Sequence, residues 1–293
     1  MDRLTNGDFT GDMTDTYAIT GVTGHVGGAT ARALKAANHL VRGISRRPQP
    51  GGTQADLADT AALTKALDGC AGAFLLLPTV PPFTDAAHQE LIASMAAAVE
   101  ASGIPHVVML SSWGADLAEG TGPIRWLHDL ENRLRATGTR LTAIRSPHFQ
   151  EKVETVLDAA RGAGIYPVFA DEADTPIPMI ATRDIGEAIA QELTKQTEKA
   201  DKSEIVVLDA PAYTERQVAE ALATTLGKPL KTITIPREAW HDTLTTGGVP
   251  PQLATELVAL YAADADNKLQ PRGDRTITGT TPIEETLEIV TRG

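Results

Sequence analysis

Thr20-Gly21-Val22-Thr23-Gly24-His25-Val26-Gly27 follows the apolar run Tyr17-Ala18-Ile19 and opens an alanine-rich segment. An apolar strand, a glycine turn and a helix in that order suit the diphosphate of a dinucleotide. Residues without side chains let the backbone close on the phosphates, and a helix N-terminus offers N–H groups and the positive end of its dipole. Gly21, Thr23, Gly24, His25, Val26 and Gly27 are therefore the first cofactor-binding candidates. A helix over Gly27–Ala37 and a strand over Leu40–Ser45 complete a βαβ unit of about 30 residues.

The end of that second strand selects the nucleotide. A carboxylate there would accept from the ribose 2′-hydroxyl of NAD. This chain instead reads Ser45-Arg46-Arg47-Pro48. A guanidinium pairs with a 2′-phosphate through charge-assisted hydrogen bonds, whereas an acid would repel it. The expected cofactor is NADP(H). Successive residues of an extended segment point opposite ways, so one arginine, Arg46, is expected to make the closer contact, with Arg47 beside it.

These residues resemble the NmrA-like group of atypical short-chain dehydrogenases/reductases. The likeness runs from the glycine turn through Val41–Pro48 and Ala55-Asp56-Leu57-Ala58-Asp59. It continues through Val107–Ala115, Leu134–Gly138, Leu141–Phe149 and Ala181-Thr182-Arg183-Asp184-Ile185-Gly186. It covers most of residues 16–195. It implies a Rossmann domain, an NADP(H) site in which Asp56 and Leu57 lie near the adenine, and either reduction of quinones and dyes or regulation by NADP sensing.

Composition agrees with an α/β enzyme. The 293-residue chain is 42% hydrophobic and carries a formal net charge of −12, which opposes nucleic-acid binding. Two arginines in an acidic protein suit one small anion better than a polyanion. The single cysteine, Cys70, excludes an internal disulfide and a cysteine metal cluster, and its place before an apolar strand reads as a buried thiol. His25, His39, His88, His106 and His241 show no metal-ligand spacing, so no metal is expected. Neither an apolar run of about 18 residues nor a signal peptide is visible, so the expectation is a cytoplasmic protein without membrane contact. Residues 1–15 are polar and read as a mobile extension.

The expected fold class is a doubly wound parallel sheet over 16–150, with a smaller α/β substrate lobe over 151–293 that partly contributes to that sheet. Helices are expected at 60–68 and 85–102, and strands at Gly72–Leu77, His106–Leu110 and Leu141–Arg145. Leu91, Met95 and Val99 form a core stripe of the second helix. Ligands of open parallel sheets bind beyond the strand C-termini. Leu76, Pro78, Ser111 and Phe149 are thus expected at the cofactor, and Ser112, Trp113 and His148 at the substrate. Further along, Glu151–Ala163, Asp184–Leu193, Thr214–Leu226 and Pro250–Tyr261 read as helices. Pro176–Ile180, Glu204–Leu208 and Thr232–Ile235 read as extended.

Typical short-chain dehydrogenases use a Tyr and a Lys four residues later to exchange a proton with the substrate oxygen. By the flanking matches those positions fall at Pro123 and Leu127, and none of the four tyrosines lies near that helix. Hydride transfer survives this loss, because an electron-poor acceptor becomes a stabilised anion and needs less acid catalysis. Substitutes are Ser111, as hydrogen-bond donor to a carbonyl, and His128, with Glu131 three residues on; both histidine and serine also have purely structural readings. The leading expectation is an NADPH-dependent reductase of a small conjugated or quinone-like molecule. The alternative is a non-catalytic NADP(H) sensor acting through a protein partner. A homodimer stays open.

Overall fold

Parallel strands need crossovers, and the alternation of short apolar runs with longer amphipathic segments supplies them. The structure, a computed structural model, describes residues 15–195 and 203–292. Strand β1 (Thr16–Thr20) passes through the glycine turn into α1 (His25–Ala36), β2 (Leu40–Ser45) and the short β3 (Thr53–Gln54). There follow α2 (Thr60–Leu67), β4 (Gly72–Leu75), α3 (Asp85–Ser102), β5 (His106–Ser112), α4 (Ile124–Ala136) and β6 (Arg140–Ser146). Beyond them come β7 (His148–Phe149), a 3-10 helix (Gln150–Val156), α5 (Leu157–Ala163), β8 (Ile165–Val168), β9 (Ile177–Ile180) and α6 (Thr182–Thr194). The chain ends with β10 (Glu204–Asp209), β11 (Ala212–Tyr213), α7 (Glu215–Leu226), β12 (Lys231–Thr234), α8 (Trp240–Thr246), α9 (Pro251–Ala265), β13 (Arg275–Thr278) and α10 (Ile283–Val290).

Eight strands form one parallel sheet in the order β13-β10-β6-β5-β4-β1-β2-β3. The order reverses direction at β1, where Ile19 pairs with Gly43 of β2 on one side and with Phe74 of β4 on the other. That reversal opens the crevice at which doubly wound sheets bind ligands. One face of the sheet is covered by α2, α3 and α4 through Leu63, Leu67, Met95, Val99, Leu130 and Leu134, with Leu91 and Cys70 in the same core. Leu34 of α1 and Ile185 and Ile189 of α6 cover the other face, over Ile19, Phe74, Val108, Ile144 and Val206. Helices α1 and α6 approach closely because Gly186 has no side chain: a Cβ there would lie 2.5 Å from that of Ala29. No described helix is long and apolar enough to cross a membrane.

Local signals set most boundaries. Thr84 caps α3 by accepting from Ala87 N, and Gly103 ends it at φ +62°. Thr214 and Gln217 form a reciprocal capping box at the start of α7. Three readings need correction. Helix α1 starts at His25, not Gly27, because Gly24 serves as its N-cap and the glycines that follow are accepted for their close packing. The segment read as one helix over Glu151–Ala163 is a 3-10 helix followed by α5. Its first turn is held by tertiary bonds: the Gln150 amide donates to the Met179 and Thr281 carbonyls, and Glu151 accepts from Thr182. Strand β4 stops at Leu75, two residues before Leu77. The polar extension read over residues 1–15 lies outside the described residues, apart from Asp15.

A third core, built from Val153, Leu157, Tyr166, Val218, Leu222 and Leu287, lies among α5, β8, α7 and α10. Two small sheets, β11-β9-β7 and β12-β8, accompany it. In contrast, α6, β10 and β13 belong to the main sheet and its helix layer. Strand β7 and the 3-10 helix follow the C-terminal end of β6, and Phe149, Glu151, Lys152 and Glu154 face the crevice.

Candidate functional site

The crevice is pinned at its base by one buried hydroxyl. Thr20 Oγ1 donates to the Phe74 carbonyl (3.1 Å) and accepts from Leu76 N (2.9 Å), fixing the end of β1 to the end of β4. The chain then turns at Gly21, whose φ of +63° only glycine adopts readily, and Gly24 N closes the turn on the Gly21 carbonyl at 2.9 Å. Gly27 packs directly on that carbonyl: a Cβ there would sit 2.3 Å from Gly21 O. No side chain caps α1, and no acid lies in its first turn. Its first N–H groups are thus left for an anion. A close-packed glycine turn before an uncapped helix fits the diphosphate of a dinucleotide.

A cleft of about 300 Å³ opens above this turn. Gly21, Gly24, His25, Val26 and Gly27 line one wall, Leu76 and Leu110 the floor, and Phe149, Glu151, Lys152, Glu154 and Thr182 the opposite wall. His25 Nε2 and Glu154 Oε2 meet across it at 3.0 Å. Glu151 is spoken for: its carboxylate accepts from Thr182 N (3.0 Å) and Thr182 Oγ1 (2.6 Å) at the start of α6. Thr23 is exposed in the turn.

Arg46 and Arg47 follow β2 and are exposed, and neither has an ion-pair partner among the described residues. Their backbone is ordered. Ser45 Oγ donates to the Arg47 carbonyl (2.6 Å), and the Gln54 amide donates to the Arg46 carbonyl (3.1 Å). Asp56 is exposed and accepts from Ala58 N (3.0 Å) in an Asx turn, while Leu57 packs on the core. Pro78 is half-buried after β4, outside the cleft lining.

The two candidate proton donors do not reach the cleft. Ser111 is buried and donates its hydroxyl to Glu131 Oε1 at 2.6 Å. Glu131 in turn takes a bidentate pair from Arg145, Nε to Oε1 at 2.9 Å and Nη2 to Oε2 at 2.7 Å. Both ions are at most 4% exposed, and Arg145 also donates to the Arg272 carbonyl (2.9 Å). The Ser111 hydroxyl belongs to this structural network, so its reading as a substrate-orienting group is corrected. His128 is corrected as well: Nδ1 lies 2.9 Å from the Ala115 carbonyl and Nε2 accepts from Asn132 (2.9 Å). Glu131 is committed to Arg145 and not to His128. Pro123 precedes α4 as its N-cap, and Leu127 packs against the core. Ser112 is half-buried at the end of β5, and the Trp113 indole donates to the Leu208 carbonyl (3.0 Å).

The small-lobe side brings Lys152, Tyr166 and Glu215, which the sequence did not single out, together with the expected His148. Lys152 Nζ donates to Glu215 Oε1 at 2.5 Å, and the Tyr166 hydroxyl donates to Glu215 Oε2 at 2.8 Å. His148 Nε2 pairs with Asp264 Oδ2 at 3.1 Å. Burial alone would raise the Glu215 carboxyl, but the charge and hydrogen bond of Lys152, the Tyr166 bond and the His148 charge outweigh it and hold it low. Burial, then the Glu215 charge, pushes the Tyr166 phenol well above its ordinary range. Helix α9, which carries Asp264 and Tyr261, packs on the turn before α4: a Cβ on Gly122 would lie 2.2 Å from the Glu256 carbonyl. Tyrosines thus enter from α9 and β8, elements far along the chain. The glutamate at the start of α7 and the lysine three residues after β7 carried no local motif that could have linked them.

Comparison with known proteins adds four likenesses. Residues 13–290 match a sequence model of the NmrA-like family. An NAD(P)H azoreductase of Xenophilus azovorans is 26% identical over 253 residues, covering 83% of this chain and 85% of that protein. Among solved structures, the triphenylmethane reductase of Citrobacter sp. complexed with NADP(H) superposes with a TM-score of 0.74 at 20% identity, over 94% of this chain and 99% of that one. The NADPH-dependent quinone oxidoreductase of Escherichia coli complexed with NADPH gives a TM-score of 0.71 at 21% identity, over 94% and 99%. The two structures share the fold of this chain.

Proposed function

We propose that this chain, which belongs to the NmrA-like family, is an NADPH-dependent reductase that passes hydride to a small conjugated or quinone-like organic acceptor. The observation that carries this reading is the cleft itself. A phosphate-type glycine turn continues without interruption into a wall formed by Leu76, Leu110 and Phe149. The residues of the turn would hold the diphosphate, and Arg46, with Arg47, the 2′-phosphate. Bound NADPH would supply the hydride. The apolar part of the lining, Leu76, Leu110 and Phe149, would hold a flat acceptor beside the cofactor, and such positioning can supply a large share of the rate enhancement. The azoreductase and the dye and quinone reductases among the similar proteins support an acceptor of this class. Residues 16–150 are assigned to the nucleotide and 151–293 to the acceptor, with α6, β10 and β13 lent to the main sheet.

Arg46→Ala is expected to weaken NADPH binding about 10–100-fold, the loss of one or two charge-assisted hydrogen bonds, while NADH affinity stays within about twofold. Titration calorimetry on nucleotide-free protein measures both. Equal affinities of the wild type for the two nucleotides would remove the NADP(H) assignment.

Turnover is tested by loss of the near-ultraviolet absorbance of NADPH against a panel of quinones, azo compounds and enones. A specific observation favours a second reading, a non-catalytic sensor of NADP(H) acting through a protein partner. The positions at which typical short-chain dehydrogenases keep their proton-transfer pair hold Pro123 and Leu127, and the Ser111 hydroxyl is bound to Glu131. Tight nucleotide binding without turnover, and an affinity that differs between oxidised and reduced cofactor, would decide for the sensor.

A further inference from the structure

Hydride transfer to a neutral acceptor leaves an anion, and something must neutralise it. A quinone takes a hydride at one end and a proton at oxygen to become a hydroquinone; an azo group takes a hydride and a proton to become a hydrazine. The position where short-chain dehydrogenases keep their acid is filled here by Pro123 and Leu127, and Ser111 and His128 are occupied elsewhere.

We propose that Lys152 is the catalytic acid of this site, donating its ammonium proton to the anion formed on the acceptor, with Glu215 and Tyr166 as its positioning residues. The proposal rests on the reductase reading. Lys152 lines the cleft on the wall that also carries Phe149, opposite the glycine turn. Its ammonium is fixed by Glu215 at 2.5 Å, and Glu215 is fixed from behind by the Tyr166 hydroxyl at 2.8 Å. Lys152 and Tyr166 hold the Glu215 carboxyl low against its burial, and burial, then the Glu215 charge, pushes the Tyr166 phenol up. Tyr166 is itself 2% exposed and cannot reach an acceptor. His148, held by Asp264, does not line the cleft. The balance closes: bound NADPH would supply the hydride, Lys152 Nζ gives its proton to the acceptor oxygen or nitrogen, and the neutral amine left behind regains a proton from water, to which its side chain is 30% exposed.

Two measurements test this. The first compares acceptors that need a proton with one that does not. A cationic triarylmethyl dye takes hydride at its central carbon and becomes neutral with no proton. Lys152→Met is expected to lower the quinone-to-dye ratio of kcat by about 10²–10⁴-fold, the usual worth of an acid catalyst. A merely structural lysine would lower both rates and leave the ratio unchanged, which would overturn the assignment. The second uses no turnover. para-Nitrophenol, a mimic of the anion, reports its ionisation by its visible absorbance. Bound to wild-type protein it should ionise about one unit or more lower than in water, because an ammonium lies beside it, and Lys152→Met should abolish the shift. An unshifted phenol on the wild type, or a shift that survives the substitution, refutes the role. A wild type that turns over none of the acceptors refutes the reductase reading as well, and is told apart by the first measurement alone.

Discussion

Gly27→Ala is expected to abolish useful nucleotide binding, with NADPH affinity falling by about 10²-fold or more, and to destabilise the free protein by about 1–3 kcal/mol. The added methyl would meet Gly21 O at 2.3 Å, Gly21 C at 2.5 Å and Thr20 O at 2.8 Å. All three are backbone atoms that no rotamer change can move. Relief requires either β1 to retreat from the Thr20 staple or the turn to open, and both displace the N–H groups aimed at the diphosphate. Gly24→Ala serves as the contrast for stability, because its Cβ would meet only the Gly21 carbonyl, at an ordinary 3.4 Å. Its urea midpoint should stay near that of the wild type while that of Gly27→Ala falls. Equal midpoints and undiminished NADPH affinity for Gly27→Ala would show that the turn does not carry the nucleotide.

Arg145→Ala should cost about 3–5 kcal/mol of folding free energy, since it removes both bidentate bonds and leaves the buried Glu131 carboxylate with the Ser111 hydroxyl and only the more distant, half-exposed Arg135 guanidinium at 3.8 Å. The cost comes from stranding a charge in a site from which water is excluded. It follows that replacing both partners, Glu131→Leu with Arg145→Met, should recover most of the loss, because neither variant ion then needs solvation. Urea unfolding of the two singles and the double closes the cycle. A single substitution costing less than about 1 kcal/mol would mean that the pair is solvated and that Ser111 is free to turn toward the cleft.

The sequence was legible where a local rule had one solution. Helix α3 falls on Asp85–Ser102 because an apolar stripe, a threonine cap and a left-handed glycine coincide there, and β2 closes the βαβ unit over Leu40–Ser45. The Thr214 cap likewise places α7. It was less legible where tertiary bonds overrode a helical pattern, as in the 3-10 helix held by Gln150 and Glu151. It failed where chemistry depends on which way a side chain turns. Ser111 at the end of β5 has two faces to choose from, and nothing near it in the chain says that Glu131 and Arg145 claim the hydroxyl. The same holds for His128, read against Glu131 at helical spacing but bonded to Asn132 and Ala115.

The residues alone determined that a strand, a glycine turn and a helix stand at the start of a parallel sheet, and that arginines rather than an acid close the second strand. Both follow from neighbours in the chain: missing side chains, a fixed apolar period, and the sign of a charge. The fold alone decided which side chains of the small lobe join the glycine turn, Leu76 and Phe149 at the cleft. Lys152, Tyr166 and Glu215 come from a 3-10 helix, β8 and α7, separated by up to 63 residues, and only the packing of the small lobe on the strand ends makes them one cluster. Backbone conformation is set by local sterics, whereas the partner of a buried polar group is set by whatever distant element arrives to satisfy it.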